Sequence, residues 1–164
     1  MKIFIQPIAL DLNKFKTLQK WDYDCGVAVM MTILCHFGKD YMQYSHLKDM
    51  LNTTVPIGTT PESMQDVLNF FNLKCDDGLG SIGFILFNTE LLYGVKTEDS
   101  QNGHWCFYTK QHHVYTVVDV WSGINKPYTK KEILTMTKNV KVGNKIYNDY
   151  IKSVTNLALS SRPL

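Results

Sequence analysis

A cysteine set between an aspartate and a glycine, at the head of an apolar run, is the first group in this sequence suited to covalent chemistry. It is Cys25, in "QKWDYDCGVAVMMTILCHFG" over residues 19–38. A thiolate is a far better nucleophile than a thiol, so a catalytic cysteine needs surroundings that favour the anion. The positive end of a helix and a neighbouring imidazole both do this. Asp24 reads as an N-cap and Gly38 as a residue just past a helix end, with Val27, Met30, Met31, Leu34 and Phe37 at helical spacing between them. Cys25 then sits in the first helical turn. Cys35 sits near the far end, where the dipole opposes a thiolate.

The base has to come from one of five histidines. His36 lies about three turns from Cys25 on the same helix, and His46 stands at the start of a second helix with no evident partner. His112 and His113 fall in a turn. His104 opens a strand in "NGHWCFY", and fifteen residues later Asp119 closes the next strand in "YTVVDV". A hairpin turn centred near Gln111 and His112 puts His104 and Asp119 opposite each other, where the carboxylate can hold the ring's tautomer and stabilise the imidazolium. Gln19, six positions before Cys25, offers a side-chain amide to a tetrahedral oxyanion, beside the Cys25 backbone N–H. One such donor contributes about 3 kcal/mol to a transition state.

Each of these residues also has a plain reading. A buried cysteine is most often structural, which is how Cys35, Cys75 and Cys106 are read. Asp119 also suits a strand-end turn, and Asp24 is most simply a cap whose charge opposes a neighbouring thiolate. Trp21, Tyr23 and Trp105 fit a cleft wall or a core equally well. A metal site drawing on His104, Cys106, His112 and His113 is set aside. His104 and Cys106 face one side of a strand, but the turn histidines lie far from both. No metal or organic cofactor is expected.

The elements that position these groups fall into two halves. Helices are expected after Asp24, through "HLKDMLN" behind a Ser45 cap, and through "TTPESMQDVLNFFNLK" with a Thr59/Glu62 capping box. Beyond residue 80 come strand-like segments: "GFILF", "ELLYGVK", "HWCFYTK" and "VYTVVDV", the last two joined by "QHH". A short helix through "KKEILTM", capped by Thr129 and Glu132, precedes strands near "NVKV" and "KIYNDYIKSV". Helices followed by an antiparallel sheet make an α+β fold. With 164 residues and no linker or repeat, residues 1–164 are read as one domain.

Bulk properties exclude several classes. A net charge of +2, without an interleaved basic and aromatic stripe, argues against nucleic acid and against an anionic membrane surface. The first residues make neither a signal peptide nor a membrane span. Four cysteines without a CxxC pair suggest free thiols in a reducing, cytoplasmic setting.

The 19–38 segment resembles the active-site segment of the bacteriocin-processing, double-glycine leader peptidases. These are papain-like cysteine peptidases, familiar as the peptidase domain of peptidase-containing ABC transporters. Gln19, Asp24, Cys25, Gly26, Phe37 and Gly38 match that pattern in place. "TTPESMQDVLNFFNLK" resembles the family's next helical block, and "GHWCFYTKQHHVYTVVDVWSG" its block carrying the base and the aspartate. The likeness spans roughly residues 15 to 135 in the family's order. It implies a papain-like fold and Cys25, His104, Asp119 and Gln19 as the catalytic set. It also implies a peptide substrate cut at a glycine-containing site in an extended segment. Val120 stands where the family has proline, and "VAVMM" departs from its usual helix. The chain ends at Leu164 without a transporter, so a stand-alone peptidase is expected. Two other functions use the same frame: a non-hydrolytic peptide-binding module, and a thiol acyltransferase or isopeptidase. The sequence is silent on oligomeric state.

Overall fold

The computed structural model describes residues 23–96 and 101–157. Among the described residues, three helices come first: α1 (Cys25–His36), α2 (Tyr44–Met50) and α3 (Pro61–Phe70). Eight strands follow: β1 (Leu73–Asp77), β2 (Ile82–Asn88), β3 (Gly103–Gln111), β4 (Val114–Val118), β5 (Asn125–Tyr128), β6 (Val140–Val142), β7 (Lys145–Tyr147) and β8 (Ile151–Asn156). Two short helices, α4 (Thr89–Tyr93) and α5 (Lys130–Thr135), lie among them. Six strands form a sheet in the order β1-β8-β2-β3-β4-β5, every neighbouring pair antiparallel, and β6 and β7 form a separate ribbon.

Alternation along β2 and β3 divides the core. Phe84, Leu86, Trp105 and Phe107 pack with α1, whereas Ile85, Phe87, Cys106 and Tyr108 pack on the opposite face with Ile133 of α5. The α+β fold with helices against an antiparallel sheet is therefore the observed one. α1 is buried on nearly every side, from Cys25 through Leu34. Each large side chain it buries is worth about 1.5–3 kcal/mol relative to exposure. The amphipathic spacing in its sequence understates this, because small residues such as Gly26 and Ala28 fill the remaining face. Gly38 ends the helix at φ +69, and the Lys39 N–H donates to the Leu34 carbonyl at 2.7 Å.

Several local expectations need correction. Asp24 occupies the N-cap position but makes no side-chain cap hydrogen bond, and its Oδ2 accepts from the Tyr44 hydroxyl at 2.6 Å. Gln43, not Ser45, precedes α2. Thr60, not Thr59, caps α3 by accepting from the Ser63 N–H, because the Thr59 hydroxyl is engaged with Thr53 at 2.6 Å. "LKCDD" is β1 rather than a helix end, and "ELLY" is α4 rather than a strand. There the Asn88 side chain accepts from the N–H groups of Glu90 and Leu91, and Gly94 closes the turn at φ +70. The Thr129/Glu132 capping box on α5 is present as expected. "KIYNDYIKSV" splits into β7 and β8 around Asp149, at φ +56.

Candidate active site

Cys25 begins α1, and the N–H groups of a first helical turn have no carbonyl partners within the helix. It is 8% exposed. Its Sγ accepts a hydrogen bond from the Trp105 backbone N–H at 3.4 Å. That contact has a topological cause. β3 and β4 pair from Gln111 with Val114 as far as Phe107 with Val118, where β4 ends. The chain then turns away through Asp119, so the Trp105 N–H loses a ladder partner and the thiol takes its place.

Gly26 permits this approach. A Cβ there would lie 2.6 Å from the Thr59 Cβ and 3.0 Å from the Trp105 Cδ1. The same loop is tied to β3 by the Trp105 Nε1–H, which donates to the Thr59 carbonyl at 2.9 Å.

His104 lies two residues before Cys106 on one face of β3, and its Nε2 meets Asp119 Oδ1 at 2.8 Å. Nδ1 is the ring nitrogen left to exchange a proton with a thiol. The pairing arises from a register different from the expected one. The turn is His112–His113, so Cys106, rather than His104, has Asp119 in its cross-strand position, one step past the ladder's end. A shift of two residues keeps Asp119 on the same face, and it reaches His104 diagonally.

Asp119 is held from three sides. Besides His104, it accepts from the Tyr93 hydroxyl at 2.6 Å and the Trp121 N–H at 3.0 Å. Burial alone would raise its pKa, but these hydrogen bonds and the His104 charge hold it well below the usual carboxylate range. For His104, burial disfavours the cation. The charges of Cys106 and Cys25 and the hydrogen bonds to Asp119 and Cys106 outweigh burial and raise its pKa well above the ordinary value. Burial pushes the Cys106 thiol itself up, which leaves Asp119 as the lasting anion beside the ring.

Cys25 and His104 line one cleft of about 350 Å³, together with Ile57, Thr59, Tyr93 and Trp121. Tyr93 packs beside the imidazole at 5.9 Å between ring centres and against Trp121, which is 61% exposed. The structure thus brings Cys25, His104 and Asp119 together. Gln19 lies outside the described residues. Tyr93 escaped the sequence reading because its segment looked like a strand. Thr59 escaped because it looked like a cap. Of the other histidines, His36 is partly buried, with burial lowering its pKa to about 4, while His46, His112 and His113 are exposed. Val120, which follows Asp119, is buried in the core with residues of α1. Among the described residues, no helix is long and apolar enough to cross a membrane.

No family model and no curated protein matches the sequence. Solved structures do. The peptidase domain of Streptococcus ComA, a bifunctional ABC transporter involved in a quorum-sensing pathway, superposes with a TM-score of 0.56 at 16% identity, over 74% of this chain and 91% of that one. A double-glycine-motif protease from an AMS/PCAT transporter, solved in complex with its leader peptide, gives a TM-score of 0.53 at 12% identity, over 85% and 87%. The chain has the papain-like fold of the double-glycine peptidase domains of ABC transporters.

Proposed function

We propose that this protein is a cysteine peptidase. The observation that carries the reading is the cleft lined by both a thiol at a helix N-terminus and an imidazole held by a half-buried carboxylate. In the reaction, Cys25 gives its proton to His104, and the sulfur attacks the scissile carbonyl carbon. The oxyanion is met by the Cys25 backbone N–H and the Gln19 amide. His104 then protonates the leaving amine as the C–N bond breaks, and water hydrolyses the thioester with His104 as base. Asp119 keeps the ring oriented throughout.

The substrate is an extended peptide segment. Both superposed proteins are peptidase domains, and one was solved holding a leader peptide. A glycine at the cut suits a nucleophile this deeply placed, since a residue without Cβ brings its carbonyl closest. The free state of all four cysteines supports a reducing, cytoplasmic setting.

The test is alkylation with iodoacetamide at about pH 6, where an ordinary cysteine is under ~1% thiolate, followed by mass mapping of the labelled residue. Rapid labelling of Cys25, slowed in His104→Ala, is expected. Cleavage of glycine-containing peptides should also disappear in Cys25→Ala. Cleavage that survives in that variant, or labelling that is slow and unselective, would overturn the reading. Product masses separate hydrolysis from transfer to an amine, which the same residues also support.

A further inference from the structure

The His104–Asp119 pair has a second neighbour behind it. Cys106 follows His104 by two residues on the same strand face and stands at the cross-strand position of Asp119. One nitrogen, one sulfur and one oxygen, taken from the three side chains, all lie within 4.8 Å of one another. On the side of the sheet away from α1, a cavity of about 480 Å³ opens onto Cys106 and Asp119, walled by Tyr93, Ile124, Lys126 and Tyr128.

From this juxtaposition we propose that His104, Cys106 and Asp119 form a zinc site that, when filled, switches the Cys25–His104 pair off. The inhibitory half rests on the peptidase reading, whereas metal binding stands independently of it.

The donors suit the ion. Zinc takes imidazole, thiolate and carboxylate together at about 2.0–2.3 Å, which sets ligand pairs roughly 3.3–3.8 Å apart, so the widest separation here, at most 4.8 Å, has to close by roughly 1–1.5 Å. Binding releases the Cys106 thiol proton to solvent, displaces the His104 Nε2 proton so that the neutral ring keeps its one proton on Nδ1, and replaces the hydrogen bond between His104 and Asp119 with two bonds to the metal. The fourth position faces the cavity, where water completes the tetrahedron. Lys126 opposes a cation there, but its ammonium sits 5.8 Å from the centre of the Tyr128 ring and is directed at that face. With Nε2 on the metal the ring proton sits on Nδ1, the nitrogen left for the thiol, so a metal-bound His104 no longer accepts the Cys25 proton. Cys106 is buried in the core and already hydrogen-bonds His104, so the two donors stand side by side before any metal enters.

Cobalt(II) is the probe, because a thiolate-to-cobalt charge-transfer band reports a bound sulfur directly. Three proteins decide the matter: wild type, Cys106→Ser, and a Cys25→Ser/Cys35→Ser/Cys75→Ser variant that keeps Cys106 as its single thiol. The expected result is a band saturating at one cobalt per chain in wild type and in the single-thiol variant, and no band in Cys106→Ser. Should Cys106→Ser fail to fold, the single-thiol variant decides alone. A band that survives in Cys106→Ser but vanishes in the single-thiol variant places the metal on Cys25, Cys35 or Cys75 and overturns the proposal, as does the absence of any band in wild type. For the inhibitory half, stoichiometric zinc should slow Cys25 alkylation about tenfold in wild type, with recovery on adding EDTA, and leave Cys106→Ser unaffected. Zinc that binds without slowing Cys25 overturns the switch. Unselective Cys25 labelling before any zinc is added condemns the peptidase reading, while the cobalt band still decides the site.

Discussion

Asp119 accepts hydrogen bonds from His104, Tyr93 and Trp121, and every one of them favours its ionised form. The pH consequence has a definite sign on each side. Although burial opposes both charges, the folded Asp119 sits below and His104 above its ordinary pKa. Stability from Asp119 is present above the unfolded value near 4 and is lost as pH falls below it. Stability from His104 is present below about 6.5 and is lost as pH rises past it towards the higher folded value. The pair therefore contributes most between about pH 4 and 6.5. Melting temperatures against pH, with chelator present, should show both flanks flattened in Asp119→Asn; unchanged flanks would rule the pairing out. Tyr93→Phe removes one donor from Asp119, so kcat/KM should fall about tenfold, with the acid limb of the pH profile moving up. An unshifted limb would make Tyr93 mere packing. Burial, reinforced by Asp40 at Cys35, raises Cys35 and Cys75 to about 11, so neither thiol should compete with Cys25 for alkylating agent near neutral pH. The carboxylate was legible in the sequence because strand alternation survives a two-residue register error. Tyr93 was not, since nothing local to "ELLYGVK" says that Asn88 will cap a helix there.

At the scale of elements, the α1 N-terminus and the loop before α3 meet with no room for a methyl group at Gly26. Gly26→Ala pushes Thr59 away from α1 and strains the Trp105 Nε1 hydrogen bond to the Thr59 carbonyl. A loss of about 1–3 kcal/mol is expected in urea unfolding, with Cys25 alkylation slowed as well. A neutral substitution would mean that the loop can retreat freely. This crowding also shows where sequence reasoning stops. The helix itself was visible in Val27, Met30 and Leu34, and the α5 capping box was visible in Thr129 and Glu132. Both signals are local. The choice of Thr60 over Thr59 as the α3 cap was invisible because Thr59 is recruited by Thr53 and Trp105, partners six and 46 residues away. In the same way "LKCDD" becomes β1 through pairing with β8, far along the chain, and its own residues argue weakly for a strand.

At the scale of the whole molecule, β8 closes the sheet. It lies between β1 and β2, so the last strand among the described residues fills an interior position of the sheet and joins β1 to the rest of it. Val154 of β8 is buried with α1 and α3 residues, and Ile151 is buried on the other face with Ile85 and Cys106. The fit is tight where the strands cross: a Cβ on Gly83 of β2 would come within 1.9 Å of the Lys152 carbonyl oxygen. The three reactive groups reside on α1, on β3 and just past β4, and β3 is held from behind by β2. Removing β8 therefore uncovers one edge of β2 and one edge of β1 and opens both halves of the core at once. A chain ending at Tyr150 should lose cooperative urea unfolding and near-ultraviolet circular dichroism and should tend to aggregate, with Cys25 no more reactive than Cys35. Val154→Asp should move in the same direction by about 3 kcal/mol or more, because it buries an unpaired charge. If the truncated chain kept a sharp transition and fast Cys25 labelling, α1, β3 and β4 would be a self-sufficient unit and β8 an accessory to it. The interior place of β8 argues for the opposite outcome: Cys25 and His104 come together only after β8 has been laid into the sheet.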